Sequence, residues 1–246
     1  MSRNWKMHSL QTLAPLKRHW LLRNSNIPVR YHGRDYADIV DHMGSPIKPD
    51  LTDWLGELLA GDIIKKPGNL NTTGVGVLFD GKPGVGKTTH AVSTLSEFIY
   101  RLPDDDTEAQ KILHMKPESY DLKARVVYYM TFTDLLSRKK AMFDVDSEER
   151  RKLHEEMEGF HGRSRDDHLN VRVLVLDDLG KEYGSKYDDF SFDDILRARY
   201  DNGLPTILTT NRDRDTWNTN YSEAMSSFAY EAFRRVKLDG EDLRKS

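Results

Sequence analysis

The stretch Gly81-Lys82-Pro83-Gly84-Val85-Gly86-Lys87-Thr88 fits the phosphate-binding loop pattern G-x-x-x-x-G-K-[ST] at every fixed position. Its flanks fit as well. The apolar run Val75–Asp80 before it reads as a buried strand. After it, Val92, Leu95, Phe98 and Ile99 recur at helical spacing between Thr88 and Arg101. Glycines let the backbone curl so that successive N–H groups face one anion, and the helix N-terminus adds partial positive charge there. The spacing therefore predicts a nucleotide site built from Gly81, Lys82, Pro83, Gly84, Val85, Gly86, Lys87 and Thr88, with Thr89 beside them. Lys87 would reach the β- and γ-phosphates of ATP, and the Thr88 hydroxyl would ligate Mg²⁺.

The rest of the chain supplies what such a loop needs. Val171–Leu176 reads as a strand and ends in Asp177-Asp178. An apolar strand ending in an acid delivers a carboxylate to the metal side of the phosphates. Asp177 is the metal-side candidate, and Asp178 the candidate for polarising the attacking water. The strand Pro205–Thr209 leads into Thr210-Asn211, where the amide is placed to orient water or touch the γ-phosphate. An asparagine there also suits an ordinary turn. Further strands are expected at 125–130 and 235–238, and helices at 36–43, 51–59, 134–143, 192–200 and 223–233, with another opening at Asp146. Residues 102–123, with Pro103 and Pro117, read as an irregular surface connection. Alternating strands and helices predict an α/β fold with a parallel sheet covered on both faces. Lys87, Asp177 and Asn211 each follow a strand, so they should share the carboxyl rim where ligands bind.

Composition narrows the classes. The 246 residues suffice for one sizeable core, and the absence of cysteine excludes disulfides, thiolate metal sites and a cysteine nucleophile. The longest aliphatic run, Val173–Leu176, is far too short to span a bilayer, and Met1–Trp20 has no apolar signal core. A cytoplasmic protein with no membrane partner is expected. The net charge is −3, yet residues 1–34 carry Arg3, Lys6, Lys17, Arg18, Arg23, Arg30 and Arg34 and no acid before Asp35. Such a basic head suits phosphates, an acidic partner surface, or a solvated tail. Trp5, Met7, Leu10, Leu13, Leu16 and Trp20 make 1–22 a candidate amphipathic helix broken at Pro15. Ile27–Tyr31 reads as extended chain.

Gly84–Thr88, Leu174–Gly180 and the run from Arg197 to Asn211 together resemble the DnaC/DnaI/IstB family of AAA+ ATPases. Ile27–Tyr31 and Gly240-Glu241-Asp242-Leu243-Arg244 are similar to its lead-in and its terminal G-x-D-x-R. The resemblance covers about residues 25–246. It implies a P-loop NTPase of the AAA+/ASCE type, a three-layer sandwich on a five-stranded parallel sheet, preceded by a short helical extension. It divides the chain into a basic aromatic docking segment (1–25), a helical lead-in (26–66) and the ATPase domain (67–246). Members load replicative helicases onto single-stranded DNA or assist transposases. By resemblance, Lys87 and Thr88 hold ATP·Mg²⁺, Asp177 and Asp178 are the acidic pair, Asn211 is sensor 1, and the ATPase domain self-associates. The loader branch carries Ser-Lys-Tyr after the acidic strand and a phenylalanine in a helical insert, both associated with single-stranded DNA. Ser185-Lys186-Tyr187 and Phe143 match them, and Arg138, Lys139 and Lys140 precede Phe143. Cations beside aromatic faces suit a single strand, although a solvated basic helix face has the same composition.

One position departs from the family. The arginine finger that it places after a serine is replaced in Ser226-Ser227-Phe228-Ala229. Arg234 and Arg235 lie nearby out of register, and Arg244 is a candidate cis contact. Slow hydrolysis is expected. The motifs suit a helicase loader, a transposition helper, or a nucleotide-regulated binding module without efficient hydrolysis. No second cluster of arginines follows the acidic strand, which disfavours a small-molecule kinase.

Overall fold

The computed structural model describes residues 10–44, 46–64, 73–180, 186–217 and 221–243. Five strands form one parallel sheet in the order β2-β3-β4-β1-β5: β1 Gly76–Gly81, β2 Val127–Thr131, β3 Val173–Leu179, β4 Thr206–Thr210 and β5 Phe233–Leu238. The alternation of strand residues separates two apolar layers. Val77, Phe79, Val127, Val173 and Ile207 face one side, packed with α1 Pro15–His19, α2 Tyr36–Met43, α3 Pro49–Leu59, α4 Lys87–Arg101 and α5 Asp106–Leu113. Leu78, Tyr128, Leu174, Leu176 and Leu208 face the other, under α6 Phe132–Ala141, α7 Ser147–His161, α8 Lys186–Asp201 and α9 Glu223–Ala232. This is the expected three-layer α/β sandwich on a five-stranded parallel sheet.

Local chemistry sets the helix ends. Asp35 and Asp38 form a reciprocal capping box at α2, and Gly44 closes it in the left-handed conformation. Asp105, Thr131, Asp146 and Ser222 accept backbone N–H bonds at the starts of α5, α6, α7 and α9. Helix α5 and the 3₁₀ turn Pro117–Ser119 replace the irregular connection expected over 102–123. Only Ala109 and Leu113 of α5 are buried, too thin a stripe for periodicity to register. Helix α8 starts at Lys186, six residues before the start expected at 192. Val29–Tyr31 is a 3₁₀ turn rather than extended chain.

The head also differs from expectation. Pro15 does not break a helix but starts α1, where its missing N–H costs nothing. The chain then passes through a π-turn at Trp20–Asn24. Trp20 is wholly buried, and its indole donates to the Asp121 carbonyl at 2.8 Å. Leu13, Leu21 and Ile27 join the same core as α3 and α4, so residues 13–27 share one apolar layer with the nucleotide-binding half. Ser25 accepts from the Tyr129 N–H at 2.7 Å, and Asn26 donates to the Tyr129 carbonyl at 2.9 Å, which covers the outer edge of β2. Trp5 and Met7 lie outside the described residues.

Candidate functional site

At the carboxyl rim, the turn after β1 runs into α4. Gly84 and Gly86 sit at φ +85° and +88°, a region side chains rarely enter. Gly86 is the N-cap of α4, so the first N–H groups of this helix open toward the loop. Lys87 is buried, and its ammonium donates to the Gly81 and Lys82 carbonyls at 2.8 and 2.7 Å. A cavity of about 470 Å³ opens over the loop. Pro83, Gly84, Gly86, Lys87, Thr88 and Thr89 line it from the loop side, and Asp178 and Asn211 from the neighbouring strands.

A β-bulge separates the two aspartates. Leu176 pairs with Leu208 and Leu179 with Thr210, so Asp177 and Asp178 together oppose Thr209 alone. Asp178 takes φ +60°, an uncommon value for a non-glycine residue, and lines the cavity. Thr209 fixes both residues. Its hydroxyl donates to Asp177 Oδ1 at 2.5 Å and accepts from the Asp178 N–H at 2.9 Å. Asp177 turns inward and is 2% exposed. The Tyr129 hydroxyl donates to Asp177 Oδ2 at 2.7 Å, and the Thr88 hydroxyl lies 3.0 Å from both carboxylate oxygens. Burial and the Asp177 charge push the Tyr129 phenol far above its ordinary value, so it remains a donor.

The structure thus brings Lys87, Thr88, Asp178 and Asn211 to one cavity, with Asp177 directly behind Thr88. Among the described residues no cluster of three or more histidine or acidic side chains is placed to hold a metal ion. A hydroxyl beside one carboxylate suits Mg²⁺, which takes few protein oxygens and completes its shell with water and phosphate.

Sequence reasoning missed two kinds of contributor. Tyr31 and Leu243 line the cavity from distant parts of the chain, and the Leu243 N–H donates to the Gly84 carbonyl at 3.1 Å. Arg235, read as a neighbour of the finger position, instead ties the base of the loop to the segment after Asn211. Its guanidinium donates to Asp80, which is 1% exposed, to Asp213 at 2.6 Å and to Asp215 at 2.9 Å. An acid ending a buried strand, as Asp80 does, was the available signal for a buried cation partner.

Arg234 pairs with Glu57 at 2.5 Å, so both arginines near the finger position serve their own chain. Phe228 is buried, edge-on to Tyr200 at 5.3 Å, with the Arg197 guanidinium 4.5 Å from its ring centroid. Arg244 lies outside the described residues.

The cations of α6 are engaged too. Arg138 pairs with Glu156 at 2.6 Å, Lys139 with Asp194 at 3.4 Å and Lys140 with Asp188 at 3.2 Å. Phe143 is 71% exposed. Ser185 lies outside the described residues, as do the side chains of Lys186 and Tyr187, whose backbone opens α8.

No protein-family model matches this chain. No curated protein sequence matches it. Solved structures do. The DnaC helicase loader aligns over 86% of this chain and 100% of its own, at 24% identity and a TM-score of 0.51. DnaI aligns over 87% of this chain and 96% of its own, at 18% identity and a TM-score of 0.50. Domain III of the Thermotoga maritima replication initiation protein DnaA aligns over 89% and 70%, at 17% identity and a TM-score of 0.52. The fold is therefore the α/β fold of AAA+ P-loop domains, shared with DnaC, DnaI and DnaA. Among the described residues no helix is long and apolar enough to cross a membrane.

Proposed function

We propose that this chain is an ATP-hydrolysing AAA+ protein that loads a replicative helicase onto single-stranded DNA. The observation that carries the reading is the convergence of Lys87, Thr88, Asp178 and Asn211 on one cavity, with Asp177 behind, in a fold shared with a helicase loader. The loop N–H groups and Lys87 receive the phosphates. Thr88 and Asp177 would hold Mg²⁺, which would supply charge neutralisation to the phosphates. Asp178 faces the cavity and accepts a proton from the attacking water, while Asn211 orients it. The Thr209 and Tyr129 hydroxyls donate to Asp177 and keep it turned inward. ATP binding then drives self-association of the ATPase domain, and residues 1–9 of the basic head dock on the helicase. Within residues 13–27, Leu13, Trp20, Leu21 and Ile27 are committed to the core, which supports placing the docking contact on residues 1–9.

The test is steady-state ATPase activity with single-stranded DNA over a range of protein concentrations, with Lys87→Ala as control. Activity that rises with concentration and vanishes in the variant is expected. Wild-type turnover by the variant overturns the reading. Helicase capture that survives removal of residues 1–9 overturns the docking assignment alone.

One observation favours a second reading, a nucleotide-regulated module without efficient hydrolysis. Phe228 is buried where the family has its finger, and Arg234 and Arg235 are tied within the chain. ATP binding with no turnover at any concentration selects it.

A further inference from the structure

The α6 row expected to meet DNA is paired, cation by cation, with carboxylates of α7 and α8. A polyanion there must compete with those acids. Another basic surface is less engaged, its nearby acids being Glu156, paired with Arg125, and Asp121, which acts on Lys123. Where the head crosses β2, a cleft of about 300 Å³ is lined by Arg23, Asn24, Asn26, Lys123, Arg125 and Tyr128, and no carboxylate lines it. Arg23 and Lys123 are exposed, and neither forms a salt bridge among the described residues. They are 100 positions apart and meet only through the fold.

The cleft is rigidly built. Asn24 donates to the carbonyls of Leu122 and Ala124, at 2.5 and 3.1 Å, and so clamps the backbone on both sides of Lys123. Ser25 and Asn26 bond Tyr129 and fix the head to the strand. The Arg125 guanidinium lies 5.5 Å from the Tyr128 ring centroid and pairs with Glu156 at 3.1 Å, which holds it in the wall. Lys123, Arg125 and Leu169 precede β2 and β3, so the cleft lies toward the rim opposite the nucleotide cavity. Cations in a concave wall suit phosphate, and the backbone that carries them is already ordered by the fold.

We propose that this cleft is a second anion site, which receives the phosphodiester backbone of a single DNA strand through Arg23 and Lys123. The inference deepens the loader reading by placing its DNA contact on the head and β2 edge rather than on α6. Charge dominates such binding, and the affinity falls with salt in proportion to the phosphates neutralised.

The experiment measures anisotropy of a labelled oligo-dT with the full chain, at several salt concentrations, without nucleotide and with ATP. The variants are Arg23→Glu/Lys123→Glu, the milder Arg23→Gln/Lys123→Gln, and Arg138→Glu/Lys140→Glu. For the cleft variants the expected result is an affinity loss of about tenfold or more and a log–log salt slope shallower by about 1.4 for two contacts. ATP binding and the melting temperature should be unchanged in the glutamine pair. Loss confined to the α6 variant overturns the cleft and leaves the loader reading intact. Wild-type protein that binds ATP but no oligonucleotide overturns both DNA assignments. Loss of helicase capture with unchanged oligonucleotide binding identifies the cleft as an acidic-protein site and also overturns the proposal. Equal displacement of the oligonucleotide by millimolar inorganic phosphate, at constant ionic strength, reduces the site to one for free phosphate.

Discussion

The Thr88 hydroxyl lies 3.0 Å from each carboxylate oxygen of Asp177, a residue 89 positions further along the chain. One comes from the helix after β1 and the other from β3, and β4 stands between those strands. The pair is thus held by the sheet itself and not by a local turn. Thr88→Val keeps the shape and removes the oxygen. It should leave the melting temperature nearly unchanged and weaken Mg²⁺-dependent ATP binding by about tenfold or more, the scale of a charge-assisted interaction. Binding measured with and without Mg²⁺ checks this. An equal loss without Mg²⁺ would place the hydroxyl on a phosphate instead.

Asp178 stands in the left-handed region at φ +60°, on the bulge that Thr209 pins. Asparagine tolerates that conformation, whereas a β-branched residue does not. Asp178→Asn should therefore fold like the parent and bind ATP within about twofold, yet lose about 10²–10⁴ in kcat if the carboxylate takes the water's proton. Asp178→Val should instead cost about 1–3 kcal/mol of stability through backbone strain. Urea unfolding of the two variants separates strain from chemistry.

How far the sequence disclosed this site follows from the range of its interactions. The loop, its strand and its helix are contiguous, so glycine spacing and periodicity revealed them together. The sheet followed from alternation, and Asp177 and Asn211 from their places after apolar runs. What stayed hidden is tertiary. Nothing in Val127–Thr131 marks the Tyr129 hydroxyl as a partner of Asp177, and nothing near Tyr31 or Leu243 marks them as cavity walls. Arg199 is a further case. Wholly buried, it donates to the carbonyls of Phe160, Val171, Arg172 and Pro205 and to the Thr206 hydroxyl. Burial, with the nearby Arg172 charge, pushes it down to about 9. Such a role depends on where loops converge, which no spacing encodes. The helix Asp106–Leu113 was closer to legible, since Asp105 and Glu108 stand at the spacing of a capping pair.

Arg235 joins the strand carrying the loop to the segment after Asn211 through Asp80, Asp213 and Asp215. Asp80 is 1% exposed, so Arg235→Met leaves a carboxylate buried beside an apolar chain. The expected cost is about 3–5 kcal/mol. Arg235→Met/Asp80→Asn removes the orphaned charge and should recover part of that. If the arginine also positions Asn211, the recovered double variant should still show a depressed kcat with a nearly unchanged KM. Full recovery of both stability and kcat would confine Arg235 to a structural role.

His90 sits one turn into α4, 3% exposed, with Nδ1 3.0 Å from the Gly86 carbonyl and its ring 5.8 Å from that of Phe79. Burial holds the imidazole below its ordinary value of 6.5. Below that pH the unfolded chain takes up a proton that the folded chain resists, so stability falls as the solution is acidified. His161, also held low by burial, adds to the effect, while half-buried His168, raised by its bond to Asp166, opposes it. The carboxylates shifted by their partners, such as Asp167 and Asp194, lie below 3.8 and stay charged in both states down to about pH 5. Histidine therefore dominates the interval between about pH 6.5 and 5. The melting temperature should drop across it, and His90→Gln should lessen the drop while leaving the value at pH 8 little changed. An identical pH profile in parent and variant would show that the imidazole accepts its proton in the folded state, with the Gly86 carbonyl at the mouth of the phosphate loop as partner.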